Sequence, residues 1–341
     1  MLVNTKVETM KKKLARRNGG LTLVELLVVL GIVAVLIGIL VPGLMMVRES
    51  ARRTSCSNNL RQLGFALQNF ESAKNHFPQA VDRLVWRQFR QWPPPDYDWA
   101  WASNCASPIV ALLAFLELDN QDQQLAYPYT HRFRPPFTAS CGVFQCPSDS
   151  SMGLNYRTNI GSEPYAYEVL GHAGGNGAFN SWELLRTAEF TDGLSYTVGF
   201  CERKIGHGNS VAGEDIWITG HIVDPNHDLI DAETLRELYS GPCEDELQFR
   251  YCGHDWPSAG LLHSWYNHVF TPNPNCCDVI LDSGVSTNPP LGGSASASSH
   301  HRGGVNTCLM DASIQFVSSN IDLEAWISLG TRNDSSPHDP N

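Results

Sequence analysis

From Leu21 to Val47 the chain is an apolar run, broken by the acid Glu25 and the hydroxyl of Thr22. Directly ahead of it stand Lys6, Lys11, Lys12, Lys13, Arg16 and Arg17 against the single acid Glu8. As a helix the run is about 40 Å long at about 1.5 Å per residue, which exceeds the roughly 30 Å hydrocarbon core of a bilayer. Its β-branched residues are no obstacle, because lipid forces the backbone to close its hydrogen bonds internally. Cations on the N-terminal flank keep that flank cytoplasmic and direct the C-terminal body across the membrane. The sequence therefore predicts a single-pass anchor in the inner (cytoplasmic) membrane, with the body periplasmic or at the cell surface. It divides into a leader over 1–20, a membrane helix over 21–47, an amphipathic continuation over 48–77 and a globular domain over 78–341.

Charge and cysteine content agree with export. The whole chain carries a formal −11 although its leader is basic, so the body is strongly acidic. An acidic body lacks the basic footprint that nucleic-acid binding needs. Ten cysteines in an exported chain read as disulfides, whereas the same residues in the cytosol would read as thiols or metal ligands. Cys141 with Cys146, and Cys243 with Cys252, are spaced to close small loops; the full connectivity stays open at this level.

Glu25 is the anomaly of the membrane run. A carboxylate near hydrocarbon costs roughly 2.5–3.5 kcal/mol on insertion scales, which points to a partner or a function. The residues around it, Gly19-Gly20-Leu21-Thr22-Leu23-Val24-Glu25, resemble the class III signal of prepilins and pseudopilins. The resemblance implies that a prepilin peptidase cuts between Gly20 and Leu21 and methylates the new amine, leaving the apolar helix in place. It also implies that Glu25 serves assembly, pairing with the terminal ammonium of a neighbouring pilin-like subunit, and that Pro42 sits where pilin helices commonly kink. Leu21 departs from the phenylalanine usual there, but it is equally apolar.

Beyond the membrane run, Leu60, Leu63, Leu67 and Phe70 recur at steps of three and four, a helical stripe for core packing, and Pro78 marks the stop. A short buried helix is predicted over 108–118. Short runs at 155–160, 196–201 and 215–219, divided by turn residues, predict strands. A helix is expected over 232–239 and another over 321–329. Residues 305–310 and 313–317 flank Asp311-Ala312 as a hairpin, and the small-residue stretch 292–299 reads as a mobile loop. The fold class is α+β: a long N-terminal helix, then a mainly antiparallel β domain with long disulfide-bearing loops.

Several blocks of the body are similar to one family. They are Arg48-Glu49-Ser50-Ala51-Arg52-Arg53 with Cys56 and Asn58-Asn59-Leu60; Cys146-Pro147-Ser148-Asp149; Thr191-Asp192-Gly193-Leu194-Ser195-Tyr196-Thr197 with Cys201-Glu202; His301 upstream of Asp311; and Leu329-Gly330-Thr331-Arg332. They resemble the pilin-like domain-of-unknown-function family 1559, also labelled solute-binding-protein-like. The family pattern has glycine where Ala312 stands. If that position needs positive φ, alanine there implies a different turn or some strain.

His301 and Asp311 could meet across the hairpin and its approach loop, as a polar or metal-ligand pair or as a structural contact that organises the turn; two ligands alone do not make a metal site. Asp224, Asn226 and Asp228 offer oxygens of the kind calcium takes. Yet Leu229 and Leu235 stand where an EF-hand loop starting at Asp224 needs glycine and glutamate. The segment reads as a solvated acidic loop, with an irregular calcium loop as the alternative. Cys252, His254, His263 and His268 match no standard zinc spacing. No Gly-x-Ser-x-Gly elbow, P-loop or His-Glu-x-x-His run is present. The sequence thus reads as a non-enzymatic, cofactor-free subunit of a type II secretion or type IV pilus-like assembly. The alternative is a membrane-tethered module that binds a solute or polysaccharide.

Overall fold

The structure is a computed structural model describing residues 22–81, 106–116, 142–165, 175–181, 183–206, 216–220, 230–239, 248–249, 252–254, 256–275, 278–282 and 292–333. The chain divides into two compact units, Met1–Ser50 and Ala51–Asn341.

One helix, α1 (Leu23–Lys74), carries both the apolar run and the leucine stripe. In the first unit its side chains from Leu23 to Leu40 are exposed along every face, and the segment is long and apolar enough to cross a membrane. Pro42 lies inside the helix. The first turn is closed by a capping box. The Thr22 N–H and hydroxyl donate to Glu25 Oε2 at 2.8 and 2.9 Å, and the Glu25 N–H donates back to Thr22 Oγ1 at 3.3 Å. Two backbone donors that a helix start would otherwise leave unpaired are thereby satisfied.

In the second unit α1 buries Cys56, Leu60, Leu63, Ala66, Leu67 and Phe70, the stripe expected from the periodicity. The helix ends at Lys74, ahead of the Pro78 stop signal. Asn75 takes φ +59°, and its N–H bonds the Glu71 carbonyl at 2.7 Å. Asparagine tolerates the left-handed conformation that ends a helix in this way.

Among the described residues the body has two sheets. The first contains β1 (Tyr156–Asn159), β2 (Val198–Glu202), β5 (Trp265–Tyr266), β8 (Gly304–Leu309) and β9 (Ile314–Ser318), in the order β5-β1-β2-β8-β9. The second contains β3 (Ile216–Gly220), β4 (Gln248–Phe249), β6 (Asp278–Asp282) and β7 (Gly292–Gly293), in the order β4-β3-β6-β7. The pairings are antiparallel except for β1 with β5 and β3 with β6. Three short α-helices, α2 (Pro108–Leu112), α3 (Ala232–Leu238) and α4 (Leu323–Gly330), and three short 3-10 helices, Leu113–Leu116, Gly142–Phe144 and Thr187–Glu189, complete the described elements. Ser107 caps α2 through Ile109 N–H, Asp231 caps α3 through Thr234 N–H, and Asp322 caps α4 through Glu324 N–H, each an acceptor side chain at the position that favours one.

The stretch 292–299 is not the mobile loop its composition suggests. Ser294, Ala295, Ser296 and Ala297 are buried. The Ser294 N–H donates to the Val279 carbonyl, the Ala295 N–H to Asn267 Oδ1, and the Ser296 N–H to Asp278 Oδ1. Small side chains let this backbone run through the interior while its polar groups stay paired, as buried amides must.

The β8–β9 hairpin packs on α1. Gln68 Nε2 donates to the Met310 carbonyl, and the Arg53 guanidinium lies 3.4 Å above the centre of the Phe316 ring. Ala312, in the turn, takes φ +69°, so the position does demand the left-handed conformation, and alanine bears it at a cost of roughly 1–2 kcal/mol. The approach is close. A Cβ on Gly64 would stand 2.7 Å from Cys308 Sγ, 2.8 Å from Ala312 Cβ and 2.9 Å from Ala312 Cα. Overpacking typically costs about 1–3 kcal/mol, against about 1 kcal/mol gained by alanine over glycine in a helix. Gly64→Ala should therefore destabilise on balance, by up to about 2 kcal/mol, read as a lowered urea midpoint of the detergent-solubilised chain. An unchanged or raised midpoint would show that the hairpin turn does not press on α1.

Candidate functional site

Four of the five family-like blocks, scattered along the sequence, each bring one residue to a buried centre. Cys56 comes from α1, Cys146 from the loop before β1, Glu202 from the end of β2, and His301 from the approach to β8. Cys56 and Cys146 form a disulfide across 90 residues of sequence. His301 Nε2 lies 3.4 Å from Cys146 Sγ and 3.4 Å from Glu202 Oε1. The four side chains are buried, and their donor atoms all lie within 4.8 Å of one another.

A buried carboxylate needs partners, and Asn306 supplies them. Its backbone N–H donates to Glu202 Oε2 at 2.8 Å and its Nδ2 to Oε1 at 2.9 Å, while its Oδ1 accepts from the Ser57 hydroxyl at 3.3 Å. A strand residue of β8 therefore links Glu202 of β2 to helix α1. Nearby, Asn59 Nδ2 donates to the Gln145 carbonyl at 2.8 Å and to the Tyr156 hydroxyl at 3.3 Å. Burial and the Glu202 charge both push the Tyr156 phenol up, so it stays protonated.

The Cys-Pro-Ser-Asp segment is held by its aspartate. Asp149 Oδ1 accepts the Ser151 N–H at 2.9 Å; Oδ2 accepts the Ile205 N–H at 3.0 Å and Asn155 Nδ2 at 2.8 Å. Asn155 Oδ1 in turn accepts the Cys146 N–H at 2.8 Å. Burial alone would raise the Asp149 carboxyl. Hydrogen bonds from His300, Ile205, Ser151 and Asn155 outweigh it and hold the group below the ordinary carboxylate range. The loop carrying Cys146 is thus fixed by an ionised carboxylate.

Two expectations are corrected here. Cys146 bridges to Cys56 on the helix and not to Cys141, because the NNL block and the Cys-Pro-Ser-Asp segment pack face to face. His301 and Asp311 do not meet. They flank opposite ends of β8, a strand that extends roughly 20 Å at about 3.3 Å per residue. Asp311 instead accepts from the Ser313 N–H and hydroxyl at 2.9 and 2.6 Å, shaping the hairpin turn. His301 instead lies against Cys146 and Glu202, and the sequence offered Glu202 only as a neighbour of Cys201.

His268 is also far from a ligand role. Its Nδ1 lies 2.7 Å from the Trp326 carbonyl and its Nε2 3.0 Å from the Tyr266 hydroxyl. Since a carbonyl only accepts, Nδ1 carries the proton and Nε2 accepts from the phenol. The ring stacks on Trp326 at 3.8 Å. Gly20, Leu21, Asp224, Asn226, Asp228, Cys141 and Cys243 lie outside the described residues. Cys252 is buried.

Comparison with protein families gives two matches. Residues 15–41 match the prokaryotic N-terminal methylation motif, and residues 45–324 match the family described as protein of unknown function DUF1559. Neither the curated proteins nor the solved structures give a match. The methylation motif implies processing by a prepilin peptidase and association with a membrane, and the second match spans most of the chain, including every residue of the buried centre. The chain is a prepilin-type, pilin-like protein and belongs to the DUF1559 family.

Proposed function

We propose that this chain is a structural subunit, not an enzyme, which joins a type II secretion or type IV pilus-like assembly through α1. The leader is removed after Gly20, Leu21 is methylated, the helix is anchored in the inner membrane, and the acidic body lies on the periplasmic side or at the cell surface. The observation that carries the reading is the methylation motif over 15–41, lying on a helix whose apolar side chains are exposed. Such a surface must be covered by lipid or by other helices. The subunit requires no cofactor for this role.

Glu25 is the specific element of the reading. In the described chain it is turned onto Thr22, which keeps the carboxylate paired within one turn. After cleavage, a neighbour's terminal ammonium would compete for the same oxygens, and in low dielectric such a pair is strong.

The test is the mature N-terminus of protein extracted from native membranes, measured by mass spectrometry. Methylated Leu21 is the expected result; an intact Met1, or a cut beyond Pro42, overturns the reading. In the same membranes, Glu25→Ala is expected to leave processing intact and to abolish helix-to-helix cross-linking between copies or to other pilin-like subunits. Undiminished cross-linking would remove Glu25 from assembly.

A further inference from the structure

We propose that the Cys56, Cys146, Glu202 and His301 centre is a zinc-class metal site whenever the Cys56–Cys146 bond is open. In that state the same four side chains bind one tetrahedral divalent cation in place of the disulfide.

The donor set suits such an ion. Zinc takes cysteine sulfur at about 2.3 Å, histidine nitrogen at about 2.0–2.1 Å and carboxylate oxygen at about 2.0–2.2 Å, almost always as a tetrahedron in structural sites. The edges of that tetrahedron are roughly 3.3–3.8 Å. His301 Nε2 already stands 3.4 Å from Glu202 Oε1 and 3.4 Å from Cys146 Sγ, so two edges are formed before any ion enters. The donor atoms as a group lie within 4.8 Å. What must change is the sulfur pair, and breaking the bond changes it in the required direction, because two unbonded sulfurs move apart.

The surroundings are those of a metal site. Ligating carboxylates are themselves hydrogen-bonded in well-built centres, and Glu202 accepts from the N–H and the side-chain amide of Asn306. The donors come from α1, the loop before β1, the end of β2 and the approach to β8, so an ion would join the same elements that the disulfide joins. With two thiolates and one carboxylate, the net charge around a divalent ion is that of the common Cys3His site.

The exchange balances. An external dithiol passes two electrons and two protons to the Cys56–Cys146 bond. The bond breaks to two thiols while the reductant closes its own disulfide. Metal binding then displaces the two thiol protons to solvent as the Cys56 and Cys146 sulfurs coordinate as thiolates. An external disulfide reverses the sequence: it takes the two electrons from the Cys56 and Cys146 thiolates and two protons from solvent, leaves as a dithiol, and the re-formed bond releases the ion.

The test uses the full chain in detergent and cobalt(II) as the probe. Cobalt reports tetrahedral sulfur ligation by intense visible bands and near-ultraviolet charge transfer, which zinc then abolishes by displacing it. Disulfide-bonded protein should show no such bands. Protein reduced with a phosphine, which takes up a water's oxygen as it opens the disulfide, should bind about one cobalt per chain in this mode. His301→Ala and Glu202→Gln are first shown to fold in the oxidised state by their melting curves. After reduction each should weaken cobalt binding by at least the roughly 10–100-fold typical of losing an outer-shell partner. Replacing Cys56 and Cys146 together by alanine should remove the bands altogether. If the reduced wild type loses its melting transition, zinc must restore it. Bands that survive the double replacement, or are absent from reduced wild type, or a lost transition that zinc does not restore, overturn the proposal.

Discussion

Replacing Cys56 with serine is expected to lower the unfolding free energy of the chain by about 4–5 kcal/mol. The bond it forms with Cys146 closes a loop of 90 residues, and in the chain-entropy account a crosslink of that span restricts the unfolded ensemble more than a short one does. The loss is a large share of the roughly 5–15 kcal/mol that separates folded from unfolded domains. Both sulfurs are buried, so the serine hydroxyl also enters a site built for sulfur and must find a partner there. The measurement is denaturant unfolding of the oxidised protein in detergent, with a chelator present, for Cys56→Ser, Cys146→Ser and the pair. Because one bond is removed in all three, the double variant should fall no further than about 1 kcal/mol beyond either single one. Additive losses, or a loss below about 1 kcal/mol in the single variants, would show that the two cysteines are not joined.

Acidification should weaken the fold before any ordinary carboxylate titrates, and His268 should be the cause. Burial pushes its imidazole down to about 3, with the Trp326 carbonyl opposing that shift. The ring has no room to recruit water. A Cβ on Gly330 would stand 2.4 Å from its Cγ, Trp326 covers one face, and both nitrogens are already engaged. Proton counts set the sign. Between pH 6.5 and about 3 the unfolded chain binds a proton at this residue and the folded chain does not. Stability is complete above 6.5 and falls as pH drops, by about 1.4 kcal/mol per unit, reaching about 2 kcal/mol at pH 5. Asp149 adds its own loss only lower, as pH falls below its ordinary value of 3.8, so the two windows separate. Denaturant unfolding from about pH 7 to about 4.5 should show this slope in the wild type. It should be largely absent in His268→Gln, whose overall stability is lower because the stacked, doubly hydrogen-bonded ring is lost. A flat wild-type profile, or an equal slope in the variant, would refute the assignment.

The parts of this molecule that the sequence made legible are those with short-range causes. The stripe at Leu60, Leu63, Leu67 and Phe70 announces a helix face because the period of the helix dictates it. The Asp311-Ala312 turn lies between two alternating runs, while the family's glycine at position 312 raises positive φ only as a condition, which the backbone then meets. The pairing of Cys56 with Cys146 was not legible, since nothing local to either cysteine distinguishes a partner 90 residues away from one close by. The approach of Glu202 to His301 is not legible for the same reason: they meet because β2 and β8 are neighbours in the sheet, and strand order is a property of the whole domain. Small residues over 292–299 suggest freedom in composition alone, but in a packed interior they are what permits backbone to pass close to backbone.

The position of Cys56 along α1 has a mechanical consequence. Traction on this helix from its N-terminal side reaches Cys56 before it reaches Leu60, Leu63, Leu67 or Phe70. There a covalent link diverts the load into the loop that carries Cys146 and on toward β1. The non-covalent stripe, which would otherwise peel one turn at a time, lies downstream of that anchor point and is spared. The described residues between the two cysteines, the stripe among them, thus belong to a bypassed segment that carries little of the tension.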